Sequence, residues 1–125
     1  MFLKSMILVV DDDSTFLEQA QKALDRDRQV YIASDADQAW SLAQRFGFSV
    51  MLVDLELGEG DGLDLIERLH DAFPKVAIVA ISDRMSGRRE LTHLKARGAA
   101  ALLSKPITPE WKTLVEQLPA MGRRK

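Results

Sequence analysis

The run Val50-Met51-Leu52-Val53, stopped at Asp54, restricts the fold more than any other stretch. Four consecutive apolar residues leave no polar face, so a strand here must be covered on both sides. Four other runs have the same character: Met6-Ile7-Leu8-Val9-Val10, Val30-Tyr31-Ile32-Ala33, Val76 to Ile81 and Ala99 to Leu103. Each pair of runs is separated by one stretch of helical periodicity. Strand and helix therefore alternate five times, which is the signature of a parallel sheet with helices on both faces.

The helices can be placed by their stripes. Ser14 to Arg26 carries Phe16, Leu17, Ala20 and Leu24 on one face, and Thr15 with Glu18 has capping-box spacing. Ser34 or Asp35 caps the second helix, whose inner face is Ala36, Ala39, Trp40 and Ala43, with Gly47 expected to supply a left-handed turn. Gly62 to Phe73 turns Leu63, Ile66, Leu69 and Phe73 inward, and Pro74 closes it. The fourth helix, about 86–97, has Gly87 and only Leu91 and Leu94 facing in, so thin packing or mobility is expected until Gly98 ends it. Thr108-Pro109 starts the last helix, with Trp111, Leu114, Val115 and Leu118 inward.

Right-handed crossovers leave few topologies for five such units. The expected fold class is α/β, a three-layer (βα)5 sandwich of flavodoxin-like strand order 2-1-3-4-5. That order brings the carboxyl ends of strands 1, 3, 4 and 5 together. Those ends carry Asp11-Asp12-Asp13, Asp54, Ser82-Asp83 and Lys105. Clustered carboxylates repel unless a cation joins them. Oxygen ligands without His or Cys suit Mg²⁺. Asp54, central in the sheet, is placed to attack a phosphoryl group, with Lys105 binding one phosphoryl oxygen and Ser82 donating to another. The bland alternative, water-satisfied surface acids, would have to explain four separate strand ends with compatible chemistry.

Composition excludes several other classes. With 46% hydrophobic and 29% charged residues the chain is ordinary for a globular domain, and 125 residues suffice for one core. A net charge of −2 gives no basic excess to indicate nucleic acid. The absence of cysteine excludes disulfides, cysteine-bound zinc and thiol catalysis, and suits a cytoplasmic setting. Met6 to Val10 is too short for a signal peptide or membrane span. A flavin-phosphate loop would be repelled by the three aspartates. The glycines at 58, 60 and 62 lack the lysine of a nucleotide loop, and Glu59 and Asp61 have the wrong sign. A dehalogenase-type phosphatase would want an aspartate where Glu56 stands.

From Met6 to Leu118 the chain resembles a response-regulator receiver domain of two-component signalling. The resemblance rests on Ile7-Leu8-Val9-Val10-Asp11-Asp12, Asp54, Gly60-Asp61-Gly62-Leu63, Ser82 and Lys105-Pro106, in that order. It implies that Asp54 is the phosphoacceptor, Ser82 the switch hydroxyl and Lys105 the lysine of the family's Lys-Pro pair, with a cis bond before Pro106. It further implies Mg²⁺ held by Asp12, Asp54 and the backbone carbonyl of Glu56, with Asp11 in support. The implied phosphoryl donor is a sensor histidine kinase or a phosphotransfer protein. The implied output surface is the fourth helix, fifth strand and fifth helix, where a partner or a second copy could dock. The domain is expected over 1–119, with 120–125 a basic tail or the start of a linker. No output domain lies within these residues, so the protein either docks alone or is part of a longer regulator.

Three positions depart from the family pattern. Gly58 replaces a common proline, Leu102 stands at the aromatic switch position, and Asp83 replaces a small residue after Ser82. Leu102 removes the aromatic rotamer swing, and Asp83 adds negative charge beside the site. Both support a rival reading, a receiver-like interaction module that is never phosphorylated; Asp12, Asp54, Ser82 and Lys105 argue against it. His70 and His93 lack ligand spacing and read as surface histidines, while Trp40 and Trp111 read as core. The basic face of Arg84, Arg88, Arg89, Lys95 and Arg97 reads first as solvated.

Overall fold

Residues 5–25, 28–57, 60–83 and 88–122 are described by the computed structural model. Five strands, β1 (Ser5–Val10), β2 (Arg28–Ala33), β3 (Val50–Asp54), β6 (Ala77–Ser82) and β7 (Ala101–Ser104), form one parallel sheet of order β2-β1-β3-β6-β7. In the large sheet's own count this is the order 2-1-3-4-5, as expected. The helices are α1 (Ser14–Leu24), α2 (Ala36–Arg45), α3 (Gly62–Ala72), α4 (Arg88–Ala96) and α5 (Pro109–Gly122). A small antiparallel pair, β4 (Glu56–Leu57) and β5 (Gly60–Asp61), lies between β3 and α3 and had no strand-like pattern in the sequence. No helix among the described residues is long and apolar enough to cross a membrane.

The unbroken apolar runs divide by alternation, because successive strand residues face opposite sides. Leu8, Val10, Met51, Val53, Ile78 and Ala80 pack beneath α2, α3 and α4 with Ala39, Ala43, Ile66, Leu69 and Leu94. Ile7, Val9, Val50, Leu52, Val79 and Ile81 meet Phe16, Leu17, Leu24, Trp111, Val115 and Leu118 of α1 and α5. Leu65 is also buried, an inward residue the α3 stripe had missed, while Leu63 and Phe73 are half-buried.

Several local expectations are corrected. Asp13, not a Thr15–Glu18 box, caps α1: its backbone is extended and its Oδ1 accepts from the N–H groups of Thr15 (3.0 Å) and Phe16 (3.4 Å). Asp35 caps α2 by accepting from Gln38 N–H at 2.8 Å. The left-handed turn expected at Gly47 does not form. Phe46 leaves α2 in extended backbone (φ −127°, ψ 151°), which lets Phe46 and Phe48 reach the ring of Tyr31. Gly98 does adopt positive φ (112°) after α4. A Cβ there would come within 2.7 Å of the His70 side chain, so His70 is half-buried against Gly98 rather than a free surface histidine. The start expected for α4 near 86, and Gly87, lie outside the described residues, as does Gly58. Where α4 is described, Leu94 is its buried apolar anchor, and Arg97 just beyond it reaches Glu67 (2.7 Å) and Asp64 (3.2 Å) on α3. Helix α5 runs on through Pro119 to Gly122.

Candidate functional site

The carboxyl ends of β1, β3, β6 and β7 form one edge, and the backbone ladder continues just past the strands. Asp11 N–H donates to Ala33 O (3.1 Å), Leu55 N–H to Ile81 O (2.9 Å) and Lys105 N–H to Ser82 O (2.9 Å). These bonds tie the residue that follows each of β1, β3 and β7 to the neighbouring strand. Gly62 N–H donates to Leu55 O at 3.2 Å, closing the loop after Asp54. The packing there is close: a Cβ on Gly62 would lie 2.0 Å from the carbonyl oxygen of Asp54. Only glycine lets α3 start at that point.

Three polar side chains on this edge are buried, Asp11 (0% exposed), Asp54 (4%) and Ser82 (5%). Each buried carboxylate spends one oxygen on the backbone and turns the other toward a single cation. Asp11 Oδ1 accepts from Asp13 N–H (2.9 Å), and Oδ2 lies 2.6 Å from Lys105 Nζ. Asp54 Oδ1 accepts from Glu56 N–H (3.0 Å), and Oδ2 lies 3.5 Å from Lys105 Nζ. Ser82 ends β6 one residue beyond Ile81, the register partner of Asp54. The bond from Lys105 to Pro106 is cis.

Burial pushes the Asp54 carboxyl up to about 6, against an ordinary value of 3.8; the Glu56 N–H opposes this, the Asp11 charge adds to it, and Lys105 offsets part. Burial also disfavours the charged Lys105. The hydrogen bond and charge of Asp11, then Asp54 and Asp83, outweigh that and hold Lys105 above its ordinary range. Exposed Asp12 completes the cluster: Asp11, Asp12 and Asp54 each offer a carboxylate oxygen within 4.8 Å of the others. Hard oxygen donors held this closely, with excess negative charge and open to solvent at Asp12, fit a hydrated divalent cation such as Mg²⁺.

The structure thus brings together Asp11, Asp12, Asp54 and Lys105, with Ser82 on the same edge. Glu56 contributes its N–H to Asp54, while its side chain is exposed in β4. Two neighbours of Lys105 were not paired with it in the sequence. Asp83 Oδ1 stands 3.5 Å from Nζ, and the Phe16 ring lies beneath Nζ, 4.4 Å to its centroid. The helix stripe places Phe16 in the core, where it is indeed buried. Its place in the first turn after the acidic loop was the available sign that it could also face the site.

The family model described as the response regulator receiver domain matches residues 7–117. The alginate biosynthesis transcriptional regulatory protein AlgB of Pseudomonas aeruginosa is 34% identical over 105 residues, covering 83% of this chain and 23% of AlgB. The photosynthetic apparatus regulatory protein RegA of Rhodobacter capsulatus is 31% identical over 101 residues, covering 80% of this chain and 54% of RegA. The chain therefore spans about a quarter of one relative and about half of the other. Among solved structures, a CheY-like receiver domain protein of Methanospirillum hungatei JF-1 superposes with a TM-score of 0.80 at 26% identity, over 96% of this chain and 94% of that one. A Burkholderia pseudomallei response regulator, crystallised with a phosphorylated aspartic acid, a calcium ion and citrate, gives 0.79 at 28% identity, over 97% and 76%. With the family's model matching residues 7–117, nearly the whole length, this chain belongs to the response regulator receiver domain family.

Proposed function

We propose that the chain is a phosphorylation switch in the cytoplasm, in which Asp54 accepts a phosphoryl group from a sensor histidine kinase or a phosphotransfer protein. The observation that carries this reading is the division of labour at Asp54: Oδ1 is tied to the Glu56 N–H and Oδ2 faces Lys105. A carboxylate fixed through one oxygen presents the other as a positioned nucleophile. Oδ2 attacks phosphorus as the bond from phosphorus to the donor imidazole nitrogen breaks; that nitrogen keeps the electron pair and takes up a proton. Lys105 meets the negative charge on one phosphoryl oxygen, and the Ser82 hydroxyl donates to another. Mg²⁺ would be held by Asp12, Asp54 and the backbone carbonyl of Glu56, with Asp11 in support, and when bound supplies positive charge against the transferring group. The phosphorylated aspartic acid and calcium ion of the Burkholderia pseudomallei regulator support the reading by likeness.

Response regulator receiver domains are signalling domains, and the chemistry here assists the chain's own modification rather than turning over a metabolite. Phosphorylation would shift a two-state equilibrium toward an active surface of α4, β7 and α5, for an output partner, an output domain or a second copy. Leu102 is half-buried in β7 against the core under α4, so the shift has no aromatic swing to use at this position. One observation favours the rival interaction module: Lys105, the cation meant for the phosphoryl group, is already beside Asp83.

The test is labelling by acetyl phosphate with Mg²⁺. Wild-type protein should take up one phosphoryl group and Asp54→Asn none, with both melting as folded proteins. Equal labelling of the two removes Asp54 from the role, and no labelling of either by acetyl phosphate or any kinase favours the interaction module.

A further inference from the structure

We infer that Phe16 is a positioning residue for phosphoryl binding, acting through Lys105. Lys105 Nζ stands 4.4 Å from the centroid of the buried Phe16 ring, inside the range where a ring face attracts a cation. The ring is itself backed by Trp111 of α5, centroid to centroid 5.8 Å at 59°, so it cannot easily turn away. Among the described residues, the ion-pair partners of Nζ are three carboxylates: Asp11 at 2.6 Å, Asp54 at 3.5 Å and Asp83 at 3.5 Å.

The difference between these neighbours matters. A carboxylate holds an ammonium by taking one of its three N–H donors and competes with an incoming anion. A ring face attracts the ammonium and takes no donor. Lysine is a flexible four-carbon stem that pays an entropic cost whenever its head is held in one place. Phe16 helps to keep the head over the site before the phosphoryl group arrives, and adds no further carboxylate to compete with the phosphoryl oxygen for its donors. The effect falls on anion binding: the ring acts on the Lys105 ammonium, whereas Mg²⁺ would be held by the carboxylate oxygens of the Asp11–Asp12–Asp54 cluster, so Mg²⁺ affinity should change little.

This inference rests on the reading of Lys105 as the phosphoryl group's cation. The probe is beryllofluoride, which occupies a phosphoacceptor carboxylate as a phosphoryl mimic, in the presence of Mg²⁺. Phe16→Leu would also disturb Trp111, so the variants should keep the ring's shape: 3,5-difluorophenylalanine and pentafluorophenylalanine at position 16 in the full chain. Fluorine withdraws charge from the ring face and weakens, then reverses, its attraction for a cation. Beryllofluoride affinity should fall about threefold and then about tenfold along the series. Melting temperature and Mg²⁺ affinity should stay at wild-type values, which a purely packing role of the ring would not leave fixed while the anion affinity fell in that order. Equal beryllofluoride affinity for all three proteins overturns the inference while leaving the phosphoacceptor reading standing. If wild-type protein binds no beryllofluoride, that reading fails, and this inference with it.

Discussion

Replacing Asp83 with alanine tests how the site balances its charges. The Asp83 and Asp54 oxygens each lie 3.5 Å from Lys105 Nζ, so laid end to end they are no more than about 7 Å apart. Two unit charges at about 7 Å and an effective dielectric of about 20 repel by roughly 2 kcal/mol. A Debye length of about 8 Å at physiological salt reduces that by about half. Asp83 is largely exposed, which reduces it further, while a phosphoryl group carries more than one charge; about 1 kcal/mol, or about fivefold in affinity, is the net expectation. Loss of Asp83 also frees a donor of Lys105, with the same sign. Asp83→Ala should therefore bind beryllofluoride about fivefold more tightly in Mg²⁺, with the gain shrinking as salt rises. Asp83→Asn, which keeps the size and removes the charge, should show most of the gain. Calorimetric titration at low and high salt reads both. Unchanged affinity at low salt would refute the electrostatic reasoning. A gain in the alanine variant alone would make the effect one of access instead.

Two further outcomes follow from the same edge. Gly62→Ala gains up to about 1 kcal/mol of helix propensity but places a Cβ 2.0 Å from the Asp54 carbonyl oxygen, and overpacking of backbone costs about 1–3 kcal/mol or more, so thermal melting should fall by about 5 °C or more and Mg²⁺ affinity with it; an unchanged melt contradicts the close approach. Because the Asp54 carboxyl is raised from 3.8 to about 6, the folded metal-free chain holds a proton in that window which the unfolded chain has lost. This group's contribution is therefore present at low pH and lost as pH rises through about 6, by up to about 3 kcal/mol. Mg²⁺ needs the ionised form, so its affinity should climb over the same range. Melting and Mg²⁺ titrations at pH 5 and 7 check both signs, and a pH profile of metal-free stability identical in Asp54→Asn would refute the assignment to Asp54.

The continuous apolar runs determined the fold class from sequence, because residues that face both ways along a strand can be satisfied only between two layers of helices. Handedness left few strand orders, and the one expected, 2-1-3-4-5, already gathered Asp11, Asp12, Asp54, Ser82 and Lys105 on one edge. Local signals short of a full element were weaker guides. The β4–β5 pair has two residues a side and no periodicity to detect, and Gly47 proved unnecessary as a left-handed turn because Phe46 was drawn to Tyr31 by packing. Only tertiary structure could say that Gly62 starts α3 against the Asp54 carbonyl, that His70 fills the space left by Gly98, or that Phe16 and Asp83 share Lys105. Those contacts join residues up to 89 positions apart, as between Phe16 and Lys105, and a helix stripe or a strand alternation reports which side a residue faces but not which distant atom meets it there.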